Sequence, residues 1–269
     1  MAGLPLLDHE HPIGVREIAA FRRDGHVLVR GLATGSEVAA YRPHIAQALD
    51  AVAAGRDRQG RVDDYGRLFT QVTNLWRMDE AVRAFVLARR FASVAARLMD
   101  VAAVRLYHDQ ALFKEPGAEA TPWHVDEYYW PLDTPHTVTM WMALVDVPPE
   151  MGPMSFVSGS HLALWRPGPI SEDGSARLER EITLRGFPIA QGASLSAGDA
   201  TFHSGRTLHS ARPNRTPSRR EVFTVIYFAD GARVRALDNA NRVADRDAFL
   251  PGLGAGDVAA SELNPLLYP

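Results

Sequence analysis

From residue 101 to about 235 the chain is a succession of short β-rich runs, and this most restricts its fold. VAAVRLYHDQALF, HTVTMWMALVDV, MSFVSGSH, GASLSAGDATFH and REVFTVIYFAD are each bounded by Pro, Gly, Asp or Asn. β-branched and aromatic runs punctuated in this way read as strands. No helix of comparable length is expected among them before about residue 240. The first hundred residues read differently. VREIAAFRRD (15–24) has apolar residues at helical spacing and stops at Gly25, and HVLVRGL (26–32) alternates like a short strand. Residues 36–55 open on Ser36 as N-cap, carry Pro43 and end on Gly55. Residues 79–100 read as one long amphipathic helix starting at Asp79. Helices followed by a block of strands predict a mainly β protein with α, a double-sheet jelly roll (cupin-like) with N-terminal helices packed on one side. One domain over 1–269 is expected, with helical cover over 1–100, the jelly-roll core over 101–235 and a C-terminal extension over 236–269.

Composition removes several classes of function. At 269 residues and 46% apolar content the chain can bury a substantial core. Its net charge of −3 offers no basic field for nucleic acid or anionic membrane. No stretch approaches 18 consecutive apolar residues, and the N-terminus lacks the pattern of a signal peptide, so a cytoplasmic protein is expected, as monomer or homodimer. Cysteine is absent, so any metal must be held by histidine and carboxylate. Lys114 is the only lysine. A compact ammonium that arginine does not replace would be one reason for keeping it, and chance is another.

The segment TPWHVDEYYW (121–130) sets His124 and Asp126 two residues apart. On a strand both side chains face the same way, supplying a nitrogen and a carboxylate oxygen to one coordination sphere. An isolated His-x-Asp is more often a hydrogen-bonded pair. A facial triad needs a second histidine and leaves three positions open. His203 and His209 are the candidates, six residues apart. His209 is the better placed, because the turn-forming ARPNRTPS follows it and puts it at a strand end. His161, in SGSH, reads as a loop residue bonded to backbone. Arg220 opens the apolar run REVFTVIYF, where a buried guanidinium demands a carboxylate from the protein or from a ligand.

These features occur within a wider pattern. FRRDGHVLVRG (21–31), KEPG (114–117), WHVD (123–126), Trp141, GPMSFVSGSH (152–161), GDATFH (198–203), LHS (208–210), PNR (213–215) and Arg220 together resemble the phytanoyl-CoA dioxygenase family of iron(II)- and 2-oxoglutarate-dependent oxygenases. The resemblance implies a double-stranded β-helix with N-terminal helices. It also implies Fe(2+), 2-oxoglutarate and O2, with His124, Asp126 and His209 as iron ligands and Arg220 on the far carboxylate of 2-oxoglutarate. Trp141, Tyr107, Asn74, Gln110 and Lys114 are implied neighbours of that cosubstrate. Two positions depart from the family's usual pattern. Ala211 stands where a hydroxyl residue often assists the arginine, and Met151-Gly152-Pro153 replaces a frequent Asn-Gly. Asp126 argues against halogenation, which in related enzymes needs a small residue there, so hydroxylation is the default outcome. Epimerisation, desaturation or cyclisation can follow the same hydrogen abstraction. Trp123, Tyr128, Tyr129 and Trp130 flank the ligands and suggest an apolar or ring-bearing small-molecule substrate, with secondary metabolism the expected setting. The rival readings are a cupin-like metal enzyme that does not use 2-oxoglutarate and a non-catalytic binding protein on the same barrel.

Overall fold

The computed structural model describes residues 3–58 and 69–269. Helix α1 (Val15–Asp24) ends on Gly25, whose φ of 80° turns its N–H back to the Phe21 carbonyl. Strand β1 (His26–Val29) follows, then α2 (Gly35–Arg58). Thr34, not Ser36, caps α2. Its hydroxyl accepts from the Glu37 N–H at 3.2 Å, while the Glu37 carboxylate accepts from the Thr34 N–H at 2.7 Å, a reciprocal capping box. The helix also runs through Gly55 instead of stopping there.

After β2 (Phe69–Thr73), the single helix expected over 79–100 is two, α3 (Glu80–Val86) and α4 (Arg89–Met99). Asp79 caps α3 as expected, accepting from Ala81 and Val82. The break falls at Leu87–Ala88, with Ala88 extended at ψ 120°. It lets Phe85 and Phe91 meet at 5.1 Å while Phe85 also packs on Phe223 of the sheet beneath. It also delivers buried Arg90 to Glu37, at 2.8 and 2.9 Å. Tertiary packing, with neither Gly nor Pro, divides the helix.

The remaining elements are β3 (Val104–Lys114), β4 (Thr121–His124), β5 (Thr137–Ala143), β6 (Met154–Val157), α5 (Glu172–Arg185), β7 (Ile189–Ala190), β8 (Ala200–Ser204), β9 (His209–Ala211), β10 (Arg220–Ala229), α6 (Ala240–Phe249) and β11 (Leu266–Tyr268). Among the described residues they form a seven-stranded sheet in the order β1-β8-β5-β10-β3-β11, with β2 also on β3, and a four-stranded sheet β4-β9-β6-β7. Every pairing in both sheets is antiparallel. This is the expected jelly roll. The helix α5 corrects the expectation that no helix interrupts the strands. Ser171 caps it and Gly186 ends it, yet only Leu178 and Ile182 are buried, so its apolar signal is faint.

Strand parity explains where the site must lie. On β10, Phe223, Val225 and Tyr227 pack toward the helices, while Arg220, Val222, Thr224 and Ile226 face the other sheet. On β5, Val138, Met140 and Met142 take the helical side, leaving Thr139, Trp141 and Ala143 inside. Both faces are covered, so these strands read as nearly continuous apolar runs and not as alternating ones. Among the described residues no helix is long and apolar enough to cross a membrane.

One buried acid on β3 carries a stability prediction. The Asp109 carboxylate accepts the N–H groups of Leu75 and Trp76, at 2.9 and 3.2 Å, capping the short turn after Asn74. Among the described residues no cation pairs with it, and burial pushes its pKa from 3.8 up to about 7. A carboxyl raised on folding contributes stability that is fully present below its unfolded value and is lost as pH climbs toward the folded one. Between pH 4 and 7 the wild-type melting temperature is therefore expected to fall more steeply than that of Asp109→Asn. The difference should reach at least about 2–4 °C, the effect of about 1 kcal/mol in a chain of this size. Parallel slopes in thermal melts would show that Asp109 does not titrate there.

Candidate active site

His124 closes β4 and His209 opens β9, and the two are directly paired across the sheet. Asp126 is not on the strand, as the sequence suggested, but begins a one-turn helix, Asp126–Tyr128. Val125 between them stays extended at φ −124° and ψ 138°, so the alternation survives and His124 and Asp126 still converge. Asp126 Oδ1 stands 3.8 Å from His124 Nε2 and 3.7 Å from His209 Nε2. Donors bound to one ion at about 2.1 Å sit roughly 3–4 Å apart, so this set fits a single metal.

The surroundings fix which atoms are offered. His124 Nδ1 donates to the Pro122 carbonyl at 2.7 Å and His209 Nδ1 to the Thr207 carbonyl at 2.9 Å. Each ring is thereby held in the tautomer that turns the Nε2 lone pair toward Asp126. Burial drives both imidazoles down to about 4, with the neighbouring histidine adding to the effect, so they are neutral ligands at ordinary pH. Burial opposes ionisation of Asp126, but the surrounding histidines outweigh it and hold the carboxyl well below the usual carboxylate range. Its other oxygen, Oδ2, accepts from Thr139 at 3.1 Å and lies 3.3 Å from His203 Nε2. His203 thus joins the cluster through the carboxylate, and its Nδ1 is buried without a partner. Thr139 was missed in the sequence, though its position two before Trp141 on β5 puts it on the same face.

A cavity of about 510 Å³ opens on the triad. One end is cationic. Arg220 is 1% exposed, has no carboxylate partner among the described residues, and gives one N–H to the Gly152 carbonyl at 2.5 Å. Its guanidinium lies over the Trp141 ring at 5.4 Å, and both residues line the cavity. Its Nε is buried and unpartnered, and the Ala211 side chain nearby in the lining has no hydroxyl to offer it. Burial pulls Arg220 down to about 9. Gly152 holds φ 79° with the Arg212 carbonyl against it, so the Met151-Gly152-Pro153 turn requires a glycine here. Lys114 lies behind this end. Its ammonium donates to the carbonyls of Glu119 and Arg212, at 2.8 and 3.4 Å, and burial together with the charge of Arg220 brings it to about 7.

The other anticipated residues divide. Gln110, Tyr129 and Trp130 line the cavity. Trp123 does not. It alternates with His124, so it points behind β4 and packs on Leu178 and Ile182 of α5. Tyr128 lies outside as well, its hydroxyl accepting from Asn241 at 3.4 Å. Asn74 is not in the lining; it sits at φ 57° with its side-chain oxygen buried and unpartnered. Tyr107 stands at a register shift between β3 and β10 that sets it behind Trp130 and Phe249, away from Arg220. His161 lies in a one-turn 3-10 helix, Ser160–Leu162, and not in a loop, while its ring meets the Arg22 carbonyl, the backbone bond expected.

Residues 21–222 match the phytanoyl-CoA dioxygenase family, and the chain belongs to it. It is an iron- and 2-oxoglutarate-dependent oxygenase. The carbocyclase SnoK from nogalamycin biosynthesis, described as non-heme and alpha-ketoglutarate dependent, is 28% identical with a TM-score of 0.76, over 94% of this chain and 96% of that one. The epimerase SnoN of the same biosynthesis, solved with Fe3+, alpha-ketoglutarate and nogalamycin RO, is 30% identical with a TM-score of 0.71, over 94% and 97%. An ectoine dioxygenase of Stutzerimonas stutzeri is 24% identical over 89% of this chain and 86% of its own length.

Proposed function

We propose that the chain oxidises a small organic molecule beside an iron(II) ion held by His124, Asp126 and His209, with 2-oxoglutarate anchored by Arg220. The observation that carries this reading is a buried guanidinium, without a carboxylate partner among the described residues, facing the same cavity as a preorganised His-Asp-His set. An unpaired buried charge is costly, and a dicarboxylate that meets the ion at one end and Arg220 at the other removes that cost. An iron(II) ion held there would supply the oxidising chemistry with O2 as the oxidant, one oxygen atom going to the succinate that forms from 2-oxoglutarate with loss of carbon dioxide and the other to oxidation of the substrate.

The protein's own residues bind, orient and exclude water. Pro122 and Thr207 fix the imidazole tautomers, while Thr139 and His203 fix the carboxylate so that Oδ1 faces the ion. Trp141 supports the guanidinium, and Lys114 packs behind it, its amine held by the Glu119 and Arg212 carbonyls. Gln110 contributes from β3, where its side-chain oxygen accepts from Gln71. Tyr107 acts through the Asp245 carboxylate it holds, and Asn74, outside the cavity lining, has no assigned part. Tyr129 and Trp130 form the wall against which an apolar or ring-bearing substrate lies, in a single oxygenase unit built from the whole chain.

Anaerobic addition of iron(II) and then 2-oxoglutarate tests the central assignment. A visible charge-transfer band should appear at one equivalent of each, followed by slow 2-oxoglutarate turnover on admission of air. A metal-binding protein that gives no band with 2-oxoglutarate would be the cupin-like alternative.

A further inference from the structure

The end of the cavity opposite Arg220 holds an acid that the reaction described above does not use. Asp245 reaches the lining from α6, in the chain's C-terminal part. Its Oδ2 accepts the Tyr107 hydroxyl at 2.9 Å, and Tyr107 is itself buried among Trp130, Phe228 and Phe249. The tyrosine therefore fixes the carboxylate in place. Around it the wall is aromatic. Phe249 lies one helical turn further along α6 and stacks on His108 at 4.0 Å, and both line the cavity together with Trp130 and Tyr129.

Among the described residues no cation pairs with Asp245. The arginines of its own helix are engaged elsewhere, Arg242 with Asp238 at 2.5 Å and Arg246 with Asp247 at 2.7 Å. Arg206 and Arg235, from the neighbouring loops, turn to Glu127 at 3.3 and 3.9 Å. His108 faces the same space but burial holds it down to about 4, so it brings no charge. The other acid acting on this region, Asp126, is directed to the metal site. Burial lifts Asp245 to about 6, against the lowering effect of the Tyr107 hydrogen bond, as follows for a carboxylate facing a confined space without a cationic partner among the described residues. An anion fixed by a buried hydroxyl and ringed by aromatic faces is complementary to an organic cation, which gains both a charge pair and cation–π contact.

We propose that the substrate carries a protonated or quaternary amine, which Asp245 receives against Trp130, Tyr129 and Phe249 while the carbon to be oxidised faces the triad. This rests on the reading of the cavity as the substrate chamber. The chamber is polarised, with the dicarboxylate drawn to Arg220 at one end and the amine to Asp245 at the other. That arrangement fixes which way round a substrate enters. Tyr107 is a positioning residue in this scheme, and Asp245 a binding residue.

Calorimetry on the protein loaded with iron(II) and 2-oxoglutarate, without oxygen, tests this with three probes of one size: phenethylamine, 2-phenylethanol and phenylacetate. At pH 7.5 the amine should bind about tenfold or more tighter than the alcohol, and phenylacetate weakest, because a desolvated charge pair outweighs a neutral contact. Asp245→Asn should remove the preference for the amine and leave the affinity for the alcohol within about threefold. Tyr107→Phe, lacking only the hydroxyl, should reduce the preference partially. Equal affinity for amine and alcohol in the wild-type protein would overturn the inference whatever the variants do, and so would an amine preference that survives Asp245→Asn. Slow 2-oxoglutarate turnover by the wild-type protein without any probe tests the oxygenase reading separately. Turnover without amine preference would leave the oxygenase standing and remove only the substrate class.

Discussion

Replacing His209 by alanine is expected to abolish the iron–2-oxoglutarate charge-transfer band and to lower turnover more than about 100-fold, since changes to residues that merely support metal ligands already cost about 10–100-fold. The informative comparison is His203→Ala. Both rings lie against the same carboxylate, with centroids 4.3 Å apart, and both are buried. Only His209 has its Nδ1 committed to a backbone carbonyl and its Nε2 on the Oδ1 side of Asp126. His203 reaches Oδ2 and supports the carboxylate from behind. His203→Ala should therefore keep the band and weaken iron binding by roughly 10–100-fold, as removal of a supporting partner does. The reverse pattern, with the band lost in His203→Ala and kept in His209→Ala, would exchange the two assignments.

Arg220→Met is expected to separate activity from stability. Removing one member of a buried, hydrogen-bonded charge pair costs about 2–5 kcal/mol, so the 2-oxoglutarate needed for half-saturation should rise about thirtyfold or more. In the protein free of 2-oxoglutarate, however, the guanidinium is a buried charge whose partner among the described residues is the Gly152 carbonyl, with Nε unpaired there. An apolar side chain of similar length relieves that desolvation, so the melting temperature should stay level or rise. Added 2-oxoglutarate should raise the melting point of the wild type and not that of the variant, because a ligand stabilises only the state that binds it. An unchanged cosubstrate requirement would take Arg220 out of the anchoring role.

The centre of the site was legible in the sequence because its chemistry depends on residue types that are hard to replace. A histidine and an acid at i and i+2, a histidine at a strand end and an arginine opening an apolar run each have few cheaper explanations once they occur together. The two-sheet fold was legible for a similar reason, since short runs with frequent turn residues leave few other architectures. What failed depended on tertiary contacts. The division between α3 and α4 has no Gly or Pro to announce it and follows from the packing of Phe85 and Phe91. The α5 helix buries only two residues and so gives almost no periodic signal. Tyr107 could not be placed because a register shift beside it defeats parity counting. Asp245 is one charged residue among several in ANRVADRDAF, and only the docking of that helix on the barrel gives it a role.

That docking divides responsibility along the chain. The family match ends at residue 222, shortly after Arg220, and so contains every proposed iron and 2-oxoglutarate contact. Asp245 and Phe249 arrive afterwards, on a helix that forms part of the chamber wall without supplying a strand to the core of either sheet. On the proposed reading, substitutions at Asp245 and Phe249 alter the substrate end of the chamber without replacing any proposed iron or 2-oxoglutarate contact. The same helix also braces the turn that begins at Asp126, with Arg242 donating to the Glu127 carbonyl at 3.3 Å, so the two ends of the chamber share one support.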